Sequence, residues 1–167
     1  PDGGITSLGR PAWTFAAQAL PAMRSPSPWW PPRSAVGILS SWMFRTPWRN
    51  TPLCLKSLQN LDAVARAAIP VEKIMGHVLL ISGGDDQLWP SRQMGEAIIA
   101  RLRAAGHPFE ARHLSYDGAG HAVSILKTDD YPTQIRHPIT RLIFSLGGSE
   151  DANRKASALA RAEALAF

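Results

Sequence analysis

Gly76-His-Val-Leu-Leu-Ile-Ser-Gly-Gly-Asp-Asp-Gln-Leu-Trp-Pro-Ser91 and, further on, Glu110-Ala-Arg-His-Leu-Ser-Tyr-Asp-Gly-Ala-Gly-His121 decide how this chain folds. The first opens with an apolar run, Val78 to Ile81, bounded by glycines, which reads as a buried strand. Between the two lies a helical pattern from Ser91 to Ala105, with Met94, Ile98, Leu102 and Ala105 predicted on one apolar face. Ser91 is the expected N-cap, and Gly106 stands where a left-handed C′ residue belongs. Glu110 to Tyr116 is a second strand. A strand-helix-strand unit implies a parallel pair, and therefore an α/β class with loops gathered at the carboxyl ends of the strands. Asp85 and Asp86 fall in the first such loop and His121 in the second.

Working outward, 167 residues is the length of one ordinary domain, and 45% hydrophobic content fits a globular chain. No linker or internal repeat divides it. Residues 55–167 carry the strand-helix-strand unit and a closing helix, with residues 1–54 a Pro- and Trp-rich irregular or cap-like segment. Apolar runs of about 18 residues, long enough to span a bilayer, are absent, so no membrane partner is expected. The net charge of +5 is spread without a basic run interleaved with aromatics, so nucleic acid is not an expected partner. One cysteine, Cys54, fits a reducing compartment, and a cytoplasmic location is expected.

In the first segment, Ala12 to Phe15 suits a short edge strand, while Trp29 and Trp30 are expected to find a burying surface. Residues 35–48 read as a short helix or cap-like excursion. Leu58, Leu61, Val64 and Ala68 recur at helical spacing, predicting one helix over 55–68 that Pro70 ends. Past His121 the chain reads as irregular through Pro132 and Pro138. A last helix starts after Gly147-Gly148, with Ser149 as N-cap and Glu150 and Asp151 in a first turn that favours negative charge.

A nucleophile, a histidine and a carboxylate in that chain order make the hydrolytic triad of α/β-hydrolases. Asp86 and His121 fill the last two places. Gly83-x-x-Asp86-x-x-Trp89-Pro90 resembles the acid loop of such enzymes, which favours Asp86 over Asp85 as the acid and leaves Asp85 as a turn former. His77, His107, His113 and His137 read as structural or exposed. No residue spacing points to a metal, and no cofactor is expected. A nucleophile elbow needs glycines two before and two after a Ser or Cys. Ser7, Ser40, Ser41, Cys54 and Ser82 all lack that frame. Cys54 precedes the acid, as the triad order requires, but reads better as a small packed residue.

Ile69 to Ile74, Val78 to Gly83, Asp85 to Ser91 and Gly118 to His121 together resemble the C-terminal domain of the acyl-CoA thioester hydrolase / bile acid-CoA:amino acid N-acyltransferase family. Arg136 to Thr140, Gly147-Gly148 and Pro11 to Phe15 add to that resemblance. It implies the C-terminal part of an α/β-hydrolase fold, a partial parallel sheet flanked by helices. It also implies an acyl-CoA substrate, a role in lipid metabolism, Asp86 as triad acid and His121 as base. The family's Ser or Cys nucleophile would lie upstream of Pro1, on a missing N-terminal half, so the chain is expected to be inactive alone. Two rivals stand beside this reading. One is a non-catalytic remnant or interaction module of the same origin; the other is a dienelactone-hydrolase-like esterase sharing Asp86 and His121.

Overall fold

The computed structural model describes residues 14–15, 18–19, 32–126 and 128–167. In chain order the elements are β1 (Thr14–Phe15), β2 (Gln18–Ala19), α1 (Pro32–Phe44), α2 (Thr51–Leu58), α3 (Leu61–Ala67), a short 3-10 turn (Val71–Lys73), β3 (Val78–Gly83), α4 (Ser91–Ala104), β4 (Ala111–Tyr116), β5 (Gln134–Arg136), β6 (Ile143–Ser145) and α5 (Glu150–Ala166). Helices thus combine with small parallel and antiparallel sheets in an α/β arrangement.

The centre is the parallel pair β3–β4, in register from Val78 opposite Ala111 to Gly83 opposite Tyr116. A parallel pair needs a crossover, and α4 supplies it. Val78, Leu80 and Ala111 pack against Ile99 and Leu102 of α4, with Val71 closing the cluster. Arg112 alternates to the other face of β4, where it bonds Glu163 of α5 and lies over the Phe167 ring. The two helices therefore cover opposite faces of the pair. The face of α5 that is buried carries small residues, Ala156, Ser157 and Ala160, together with Asn153, which lets it approach closely.

Four expectations need correction. α4 buries Gly95, Ile99 and Leu102, whereas Met94 is 43% exposed and Ala105 is exposed, so the buried stripe is turned away from the predicted one. The reason is Gly95: a Cβ there would lie 2.5 Å from His113 Nε2, so the helix sits over an imidazole with its glycine inward. Ser91 is the first helical residue rather than the cap; Pro90 occupies the cap position and no side chain serves it. The helix predicted over 55–68 is two, because the Asn60 side chain accepts a hydrogen bond from the Ala63 N–H at 3.0 Å and starts α3 afresh. The segment read as irregular after His121 contains the antiparallel pair β5–β6.

Other expectations hold. Ser149 caps α5 by accepting from the Ala152 N–H at 3.2 Å. Gly106 takes a left-handed φ of +65° one residue past the C-cap of α4. Of the strand expected at Ala12 to Phe15, Thr14 and Phe15 pair with Ala19 and Gln18, while Ala12, Trp13, Trp29 and Trp30 lie outside the described residues.

Candidate active site

The loop after β3 and the loop after β4 start side by side because their strands are parallel and in register. Backbone bonds then lock them together: Gly84 N–H to the Tyr116 carbonyl and Asp85 N–H to the Ala119 carbonyl, each at 2.8 Å. The turn between β6 and α5 presses on both. His121 N–H reaches the Leu146 carbonyl at 2.8 Å, and Gly120 N–H reaches Asn153 Oδ1 at 2.7 Å. At Gly120 a Cβ would run into the Gly147 carbonyl, and Gly147 itself takes a φ of +79°, so any side chain here forces the loops apart. From the other side Asn50 and Thr51, at the start of α2, donate their N–H groups to the Gln87 carbonyl, and Thr51 Oγ1 donates to the Asp86 carbonyl at 2.8 Å.

This clamp brings the two sequence-predicted residues together. Asp86 Oδ2 lies 3.0 Å from His121 Nδ1. The other carboxylate oxygen, Oδ1, accepts from the backbone N–H groups of Leu88 and Trp89 at 2.9 Å each. Burial pushes the Asp86 carboxyl up, but hydrogen bonds from His121 and the Trp89 N–H outweigh it and leave the group below its ordinary 3.8. Asp86 is therefore an anion at neutral pH. Since an anionic carboxylate only accepts, the proton in the shared bond belongs to Nδ1, and in the neutral ring Nε2 then carries the lone pair. Exposure divides the roles further: the Asp86 side chain is 4% exposed and that of His121 is 38% exposed. The geometry is that of a shielded acid orienting an accessible base.

Asp85 points away from this pair. Its carboxylate accepts from Gly148 N–H at 2.9 Å and from the Gln87 side chain at 3.1 Å, tying the acid loop to the start of α5. Cys54 is partly buried, with Asn50 Nδ2 3.1 Å from its sulfur. Burial first, then the Asp86 charge, pushes its thiol up against the opposing Asn50 bond, which disfavours the thiolate that nucleophilic attack needs. Among the described residues no serine or cysteine is hydrogen-bonded to the His121 ring. A cavity of about 270 Å³ borders the acid, walled by Arg49, Asp86, Trp89, Ser91 and Arg92.

Two features escaped sequence reasoning. Ser82 Oγ lies 2.8 Å from His113 Nε2 and 3.1 Å from Ser115 Oγ, and Arg92 Nε donates to Ser115 Oγ at 2.9 Å while its guanidinium also pairs with Asp117. That chain joins the head of α4 to the start of the histidine loop. Its signal was Gly95 set against a strand histidine, which only a register reveals. The second is Asn153, fully buried, whose carboxamide oxygen holds Gly120; an asparagine inside a helix gives no such hint.

A family model described as BAAT / Acyl-CoA thioester hydrolase C terminal matches residues 43–166. The chain belongs to that family. A curated relative of this thioester hydrolase family member is the peroxisomal succinyl-coenzyme A thioesterase of Mus musculus, 33% identical over 88 residues. That alignment covers 53% of this chain and 20% of the mouse protein, so the family member in hand matches about a fifth of its relative's length.

Proposed function

We propose that Asp86 and His121 are the acid and base of a Ser/Cys-His-Asp triad that cleaves acyl-CoA thioesters or passes their acyl group to an amine. The carrying observation is the 3.0 Å contact of Asp86 Oδ2 with His121 Nδ1 at adjoining strand ends, with the acid shielded and the base accessible. The nucleophile comes from outside the described residues. In this reading β3, α4, β4 and α5 are the closing part of an α/β-hydrolase fold. His121 Nε2 takes the proton of the nucleophile as it attacks the thioester carbonyl, then gives it to the departing CoA thiol. An acyl-enzyme remains. In the second half His121 takes a proton from water, or from an amine, whose attack releases the acid or amide and restores the nucleophile. Asp86 stays ionised throughout and stabilises the imidazolium formed in each half.

The test is complementation. The chain alone is expected to show no acyl-CoA hydrolysis. Joined to the nucleophile-bearing segment of a family member, it is expected to turn over, and His121→Ala is expected to abolish that turnover. Turnover surviving the substitution would overturn the assignment.

A further inference from the structure

Acidic residues are unevenly spread along this chain. None occurs between residues 3 and 61 or between 131 and 149. These two segments meet: Trp48 bridges Phe144 in parallel, Trp48 N–H reaches the Ile143 carbonyl at 2.7 Å, and Ser145 N–H reaches the Trp48 carbonyl at 2.9 Å. Trp48 thereby adds a third strand position beside β6. Strand alternation then sorts the side chains. Trp48, Phe144 and Ile135 share one face, while Arg49, Ser145, Gln134 and Arg136 share the other. Ser145 Oγ donates to Gln87 Oε1 at 2.7 Å, which sets this second face against the acid loop.

Two more arginines flank the strip. Arg45 and Arg141 each stand three residues before the bridging pair, and both are left-handed, with φ of 55° and 61°. They are the two non-glycine residues in that conformation among the described residues. Glycine or asparagine is the usual occupant, since a Cβ is disfavoured there. Among the described residues Arg92, Arg101, Arg112 and Arg154 hold carboxylates, whereas Arg45, Arg49, Arg136 and Arg141 are exposed and hold none. Arg66, Arg103 and Arg161 also hold no carboxylate among the described residues, but they lie on α3, α4 and α5, away from the Trp48–Phe144 bridge. Asp85, which lines a cavity with Arg49, is taken up by Gln87 and the Gly148 N–H. That cavity is the one that Asp86 borders.

From this arrangement we infer that the strip carrying Arg45, Arg49, Arg136 and Arg141 binds the phosphate groups of the thioester's CoA carrier while the acyl end lies beside His121. This rests on the acyl-CoA reading above. Guanidinium groups suit phosphate because their fork of N–H donors matches two phosphate oxygens at once. A strip beside the cavity gives one long substrate two anchor points, the charged end fixed at a distance from the reacting carbonyl.

The experiment is calorimetric titration of the full chain with CoA and with pantetheine, which carries the thiol but no phosphate. CoA is expected to bind at least about tenfold more tightly, and raising the salt is expected to narrow that gap. Arg49→Gln and Arg136→Gln should each weaken CoA binding by about tenfold and leave pantetheine unmoved. Arg49→Lys should recover part of the loss, and Lys155→Gln, which removes equal charge elsewhere, should change nothing. Equal binding of the two probes, or CoA binding indifferent to both arginine substitutions, would overturn the strip and leave the acyl-CoA reading standing. Binding of neither probe would overturn both.

Discussion

His121 and His113 sit near the same strand, each with one hydrogen-bonded partner, but at different positions along it. His113 lies inside β4, opposite Leu80, under the helix that carries Gly95. Its Nε2 meets the Ser82 hydroxyl at 2.8 Å, and burial first, with Arg92 assisting against Glu96, holds its pKa below 6.5. His121 lies past the end of the strand, where backbone bonds and the Asn153 side chain of α5 fix the loop, and its ring stays accessible. The serine-histidine contact joins two strand residues under α4. A carboxylate-histidine contact at the strand ends is a candidate engine. The difference is position along the strand, since the partner distances are nearly the same.

The comparison breaks most visibly in the complemented enzyme. His121→Ala and Asp86→Asn are each expected to lower kcat by about 10³–10⁴-fold, the latter because the imidazole loses its orienting acceptor. His113→Gln should lower it by less than about tenfold. A reversal of that order would make Ser82–His113 the working pair. Steady-state kinetics on the three variants decides.

Stability sharpens it next. Asn153→Ala removes the acceptor for the buried Gly120 N–H and is expected to cost about 1–3 kcal/mol in urea unfolding. Gly95→Ala drives a methyl against the His113 ring and should cost about 1–3 kcal/mol, a loss that a smaller residue at 113 relieves. An unchanged midpoint for Gly95→Ala would mean that α4 sits elsewhere.

The smallest effects are those of pH. Asp86 has a lowered folded pKa, so the stability it contributes is complete above its ordinary 3.8 and is lost as pH falls through the lower folded value. His113, also lowered, contributes stability that is complete above 6.5 and is lost as pH falls through its own folded value. His113→Gln should flatten the slope just below neutrality, and Asp86→Asn the slope at the acid end. Unfolding midpoints measured across pH test both.

Much of this was legible in the residues. Val78 to Ile81 between glycines announced β3, and the spacing of Asp86 from Trp89-Pro90 singled it out from Asp85. What stayed hidden depended on partners distant in sequence. Glycine carries no hydrophobic signal, so the buried face of α4 was drawn through Met94 instead of Gly95. Asn60 competes with a continuing helix through a local side-chain bond, and that divided a pattern whose apolar residues are half exposed. β5 and β6 are three residues each, and β5 is exposed and lies between Pro132 and Pro138, so alternation had too little length to show. The arginine strip needed the Trp48 bridge before its members could be seen as neighbours.

The most direct test of the central claim is the protonation of the His121 ring, read by nitrogen-15 and proton NMR in the chain near neutral pH. The account predicts the Nδ1–H tautomer, with a hydrogen-bonded ring proton that disappears in Asp86→Ala while the fold persists. An Nε2–H tautomer, or a ring proton indifferent to that substitution, would contradict it.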